Sequence, residues 1–225
     1  MGWLRVAAVA LCALAIVACK RRTASVPEFR DAALAPELGG AAVLPELRDG
    51  DVIFQESSSA QSDMVAALTG SRWTHLGVIF LEPTGPVVLE AVSPVRKTPL
   101  KRWIARGRGG EYVVKRLRDA DSKLSPNAIA NMKKLGATWL GRPYDLRFRW
   151  DDETLYCSEL AYKLFERAAN LRLGKLERAR DMNLDDDRVQ RALRKRFGNA
   201  RFDPAEIVIT PDSIFNDDQL IEIQR

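Results

Sequence analysis

One histidine serves the whole 225-residue chain, and cysteine occurs only at positions 12, 19 and 157. These scarcities exclude whole classes of chemistry. A zinc centre built from histidines and cysteines has too few ligands to draw on. No Cys-X-X-Cys pair exists, which removes dithiol exchange and, with so few cysteines, a disulfide-stapled scaffold. No apolar run reaches the roughly 20 residues that a spanning helix requires. The run at residues 6–18 follows one early arginine and leads into small residues, the form of a secretory leader. Internal repeats are absent, and the net charge of +5 is a mild bias. Its clusters, "KRR" at 20–22 and "RVQRALRKRF" at 188–197, read as solvated faces or contacts with anionic lipid or wall polymer, and no nucleic-acid partner is expected.

The leader ends in "IVAC", which resembles the lipobox of bacterial lipoproteins, with Cys19 as the lipid-bearing residue. Residues 1–18 are then the signal peptide, and 19–44, rich in small residues and punctuated by Pro27, Pro36, Gly39 and Gly40, form a tether. Residues 45–225 form one domain large enough for its own core. The expected location is the bacterial envelope, lipid-anchored on the periplasmic side. Lys20 after the cysteine points to the outer membrane by the enteric sorting pattern. Cys12 leaves with the leader and Cys19 carries lipid, so Cys157 has no intramolecular partner. A lone thiol in an oxidising compartment is either buried and inert or chemically employed.

Along the domain, "LRDGDVIFQ" is a turn and short strand with Val52 and Phe54 on one side, and "SAQSDMVAALTG" has helical spacing with Gly70 as its stop. "WTHLGVIFLEPTGPVVLEAV" is a hairpin across Pro83–Pro86. "TPLKRWIARG" starts like a helix with Thr98 as cap and Pro99 first, and "EYVVKRL" is a strand. Two amphipathic helices follow, one through Ile129, Met132, Leu135 and Trp139, the other "CSELAYKLFERAA" with Leu160, Leu164 and Phe165 on the face of Cys157. "NLDDDRVQRALRKRF" is a further helix, acids leading and bases trailing, and "AEIVIT" is the closing strand. Strands first and helices after argue for an α+β domain around a small antiparallel sheet or half-barrel.

His75 opens a strand and Cys157 opens a helix. A helix start carries unpaired N–H groups and positive partial charge, which favour a thiolate in general, and a neighbouring imidazole can take and return the proton. His75 can equally be a satisfied structural residue. Glu90, at the end of the hairpin that His75 begins, is placed to steady the ring, or is an exposed edge glutamate. The N–H of Cys157 can supply half an oxyanion hole; Tyr156, Tyr144 and Gln55 are candidates for the other half and equally fit packing or ordinary strand polarity. "RWIARGRGGE" is either a solvated loop or the border of a site for a carboxylate-bearing ligand.

The blocks "LRDGDVIFQ", "SRWTHLGVIF", "VVLEAV", "TPLKRWIARG", "YVVKRL", "GRPYD" and "YCSELAYKLF", in that order, resemble the YiiX/YaeF group of permuted papain-like amidases, a branch of the NlpC-type cysteine hydrolases. In that group the histidine strand precedes the cysteine helix, as His75 and Glu90 precede Cys157 here. The resemblance implies a circularly permuted papain-like fold, a barrel-like antiparallel sheet against the cysteine helix. It implies a nucleophile at Cys157, a base at His75 and an orienting acid at Glu90; from the scarcity of ligands no metal is expected, and no cofactor is expected either. The expected activity is amide hydrolysis through a thioester, on peptidoglycan peptides. The alternatives are lipid amide or acyl turnover by the same triad, or a wall-binding domain that does not turn over. Nothing in the sequence fixes the oligomeric state.

Overall fold

The structure, a computed structural model, describes residues 46–198 and 203–224. The signal peptide, Cys19 and the tether lie outside them. Among the described residues, no helix is long and apolar enough to cross a membrane.

The elements run β1 (Val52–Gln55), α1 (Ala60–Thr69), β2 (His75–Glu82), β3 (Gly85–Glu90), β4 (Arg96–Pro99), α2 (Leu100–Ala105), β5 (Val113–Leu117), α3 (Ala120–Lys123), α4 (Pro126–Trp139), α5 (Cys157–Ala169), β6 (Glu177–Arg178), α6 (Asp187–Phe197), β7 (Ile207–Val208), α7 (Pro211–Phe215) and β8 (Leu220–Gln224). Six strands pair antiparallel in the order β4-β3-β2-β1-β5-β8, and β6 pairs with β7 apart from them. The α+β permuted fold is the one expected, but the sheet is open: β4 and β8 are its edges, and no pairing among the described residues closes a barrel.

Alternation divides the core. Val52, Phe54, Leu76, Val78, Phe80 and Leu89 meet Met132 and Trp139 of α4 and Leu160, Leu164 and Phe165 of α5. On the other face Ile53, Ile79 and Val88 meet Leu100 and Trp103 of α2. Because both faces are covered, β1 is buried at every position and its alternation is visible only as a choice of neighbour.

Helix ends follow their side chains. The hydroxyl of Ser125 accepts from the N–H of Ala128 at the start of α4, with Pro126 next, and Gly70 closes α1 at φ 67. Two expectations change. Thr98 is not a helix cap: it lies in β4, and α2 starts at Leu100, after Pro99. The closing strand is β8, which pairs with β5, whereas "AEIVIT" supplies only the two residues of β7.

Gly77 allows β2 and β3 to approach. A Cβ there would stand 2.3 Å from Cγ1 of Val88, 2.8 Å from the Leu89 carbonyl oxygen and 3.4 Å from Cβ of Glu90. Since backbone cannot yield cheaply, Gly77→Ala is expected to cost about 1–3 kcal/mol. That corresponds to a fall in Tm of roughly 2–4 °C per kcal/mol, and an unchanged melting curve would show that the hairpin has slack.

Candidate active site

His75 is the first residue of β2 and sits 8 % exposed, with its ring stacked on Trp103 at a centroid distance of 5.8 Å. Its Nε2 lies 2.7 Å from Oε2 of Glu90. An ionised carboxylate only accepts, so Nε2 carries a proton and donates, leaving Nδ1 for the other side of the ring. The Cys157 sulfur is close enough to the imidazole for a hydrogen bond that raises the ring. The structure thus brings Cys157, His75 and Glu90 together.

Glu90 is fully buried and held from three more directions. Arg106 Nη2 donates to both carboxylate oxygens at 2.6 and 2.7 Å, Thr98 Oγ1 donates at 2.6 Å, and Arg96 Nε stands 3.7 Å away. Sequence reasoning did not assign Arg106 or Thr98 to the site. The arginine-rich loop is neither wholly solvated nor only the border of a ligand site: the carboxylate that Arg106 meets is the protein's own Glu90.

These contacts set the charges. Burial alone pulls the His75 imidazole down, but the bonds to Cys157 and Glu90 outweigh it and raise the ring from 6.5 to about 9. Burial pushes Glu90 up, and His75, Arg106 and Thr98 together hold it down at about 2. Their stability contributions have opposite pH limits. That of His75 is complete below 6.5 and lost as pH rises through about 9; that of Glu90 is present above 4.5 and lost as pH falls through about 2.

Cys157 is the first residue of α5 and 3 % exposed. As a first-turn residue its N–H has no partner within the helix. The N–H of Tyr156 just before it donates to Oε2 of Glu159 at 3.2 Å, which fixes the entry to the helix. Glu159 and Lys163 are themselves buried, so the first two turns of α5 are enclosed on every side and not only along the apolar stripe. Lys163 Nζ donates to Oε1 of Glu159 at 2.7 Å, to Oδ1 of Asp152 at 2.9 Å and to the Asp151 carbonyl, tying the loop before the helix to its flank. Burial pushes the Glu159 carboxyl up, with Lys163 opposing it.

The three oxyanion candidates separate. The Tyr156 hydroxyl accepts from the N–H of Ile209 at 3.1 Å, which ties it into the fold. Gln55 lies opposite His75 in the β1–β2 register, 2 % exposed, with its Oε1 unpartnered among the described residues. Tyr144 lines both cavities at the site: a wider cleft with His75, Gln55 and Arg106, and an apolar slot with Cys157. Among the described residues no group of three or more His, Cys, Asp or Glu side chains could hold a metal ion.

This geometry has relatives. Residues 46–224 match the model of a family described as permuted papain-like amidase enzymes, YaeF/YiiX, C92 family. The uncharacterized protein YiiX of Escherichia coli K12 is 36 % identical over 176 residues, covering 78 % of this chain and 85 % of its own. A crystal structure titled metalloprotein yiiX from E. coli O157:H7 superposes with a TM-score of 0.74 at 35 % identity, over 79 % of this chain and 97 % of that one.

Proposed function

Because the chain belongs to the YaeF/YiiX family of permuted papain-like amidases, we propose that it is a thiol hydrolase of the cell envelope that opens amide bonds through Cys157, His75 and Glu90. The observation that carries this reading is the shared imidazole, with Glu90 at 2.7 Å on Nε2 and Cys157 within hydrogen-bonding reach of the ring. A structural histidine needs one satisfied partner, not a fully buried carboxylate behind it and a sulfur in front.

In the proposed cycle the Cys157 thiolate attacks the amide carbon while His75 stands protonated. The oxyanion is met by the Cys157 N–H at the start of α5, and Tyr144 or Gln55 can supply a second donor. When the C–N bond breaks, the imidazolium gives its proton to the leaving nitrogen. A thioester remains on Cys157. Water, deprotonated by the now neutral His75, releases the acid and restores the pair. Glu90 holds the ring in the tautomer and orientation that both steps use.

The envelope assignment, with Cys19 lipidated and residues 19–44 as a tether, is supported by the sequence alone and lies outside the described residues. Peptidoglycan peptides and lipid-derived amides are both within reach of a membrane-tethered site. The apolar slot at Cys157 favours the second.

The proposal is tested by incubating the full chain with wall fragments and with membrane lipids in parallel, quenching in acid and weighing the peptide that contains Cys157. An acyl mass on that peptide together with a released amine is expected. Binding without adduct or product from either source would support a non-catalytic domain instead. A pH series adds a second check: since the leaving nitrogen needs the imidazolium, kcat/KM is expected to fall as pH rises through about 9.

A further inference from the structure

Trp103 and Arg106, one turn apart at the end of α2, converge on the His75 imidazole from behind. Trp103, fully buried, lays its ring against that of His75, and Arg106, which caps the helix, sends Nη2 to both oxygens of Glu90 at 2.6 and 2.7 Å. The loop that carries Arg106 onward is tied down on its far side. The N–H of Arg108 donates to the Glu56 carbonyl at 2.8 Å, and Gly107 bridges to Ser57. The Glu56 carboxylate then holds Arg108 Nη1 at 2.6 Å and Arg72 Nη2 at 3.6 Å. A helix end and an ion-pair hub together place one guanidinium.

What Glu90 takes from Arg106 is a charge. The carboxylate is fully buried, and in a dry site a carboxylate beside an imidazolium reverts to a neutral acid beside a neutral ring unless a further charge opposes the transfer. Thr98 Oγ1 donates at 2.6 Å but is uncharged, and Arg96 Nε, at 3.7 Å on a half-exposed side chain, stands past hydrogen-bonding distance. Protonation would turn the Glu90 acceptor into a donor: its O–H would point at Nε2, and the ring would keep a single proton on Nδ1. In the attacking state of the proposed cycle, thiolate, imidazolium and carboxylate leave one negative charge in surplus. Arg106 balances it.

Resting on the amide-hydrolase reading above, we propose that Arg106 is a positioning residue of the hydrolase: its charge keeps Glu90 an ionised, accept-only carboxylate, so that His75 stands protonated with Nε2–H toward Glu90 when Cys157 attacks. It acts through Glu90 and not on the reacting atoms.

The test uses the untagged full chain, whose one histidine gives an unambiguous imidazole nitrogen NMR spectrum. Wild type, Arg106→Gln, Arg106→Lys and Arg106→Met are compared at neutral pH by that spectrum and by the rate of iodoacetamide alkylation, read on the peptide that contains Cys157. His75→Ala reports on the underlying pair. Arg106→Gln keeps a donor and loses the charge, and is expected to slow alkylation about tenfold, the worth of one charged hydrogen bond. Its ring should pass from protonated on both nitrogens to neutral with Nε2 bare. Because Nη2 alone makes both contacts with Glu90, one ammonium can take its place, and Arg106→Lys is expected to stay within about threefold of wild type with the ring still charged. Arg106→Met supplies the uncharged variant should Arg106→Gln melt early. Wild-type rates and a charged ring in the uncharged variants, with His75→Ala still slow, would overturn the role of Arg106 and leave the triad standing. A lysine variant as slow as the glutamine one would overturn it too, by showing that shape and not charge governs. Wild-type alkylation in His75→Ala would remove the pair itself.

Discussion

Cys157→Ala is expected to lower turnover by at least about 10⁴-fold, because the nucleophile, the helix-start N–H and the imidazole act as one unit and removing the attacking atom leaves only binding and oxyanion contacts. The fold should persist. The substitution deletes one sulfur at a 3 % exposed position, a loss on the order of 1 kcal/mol for a domain whose core spans both sheet faces. Among the described residues Cys157 is the free cysteine, so alkylation of the domain should vanish with it. Substrate should still bind, since the walls of the slot are untouched. Measured as single-turnover rate and equilibrium binding side by side, the variant should lose the first and keep the second. A residual rate within tenfold of wild type would place the nucleophile elsewhere.

The second large effect is expected at Glu90. In Glu90→Gln the side chain keeps its volume but presents an NH₂ as well as an oxygen to His75 Nε2, Thr98 and Arg106, all of which donate in the native site. With its oxygen toward Nε2 the amide sets its NH₂ against Arg106, and turned over it sets that NH₂ against the ring, so either the arginine or the imidazole must give way. A fall in kcat of about 10²–10⁴ follows. The His75 ring also loses one of the bonds that raise it, so the alkaline limb of the pH profile should move down from about 9. The destabilisation is expected near 3 kcal/mol, the low end for breaking a buried ion pair, because Arg106 is 38 % exposed and can turn to water. Since the lost contribution of Glu90 is present only above its unfolded value of 4.5, wild type and variant should converge in stability as pH falls toward about 2. Equal stabilities at neutral pH, or an unmoved alkaline limb, would mean that Glu90 does not govern the ring.

How much of this was legible in the sequence depends on the range over which each signal acts. The β2–β3 hairpin could be read because its strands are adjacent and Pro83 and Gly85 mark the turn, and that adjacency put Glu90 beside His75 before any coordinates. The helix at Cys157 showed itself through Leu160, Leu164 and Phe165 at helical spacing. Its enclosed first turns did not, because Glu159 and Lys163 look like a solvated pair four apart until Asp152 and the Asp151 carbonyl close over them. The strand β8 escaped because Leu220, Ile221 and Ile223 are interleaved with acids near the chain end, whereas "EIVIT" is the denser apolar run. Thr98 followed by proline imitates a helix start, and only the pairing of Val88 with Thr98 reveals a strand. Arg106 is 16 residues from Glu90 on a different element, a distance that no periodicity encodes. The apolar slot draws on α1, the loop at Tyr144 and Phe148, α5, the stretch at Met182, and β7 with its flank, five segments that only the fold assembles.

The most direct measurement is the second-order rate of Cys157 alkylation by iodoacetamide at neutral pH, in the full chain and in His75→Ala. A sulfur activated by the imidazole should react at least tenfold more slowly once the ring is gone, with an unchanged melting curve as the control. Equal rates in the two proteins would contradict the paired centre, however well the fold matches its relatives.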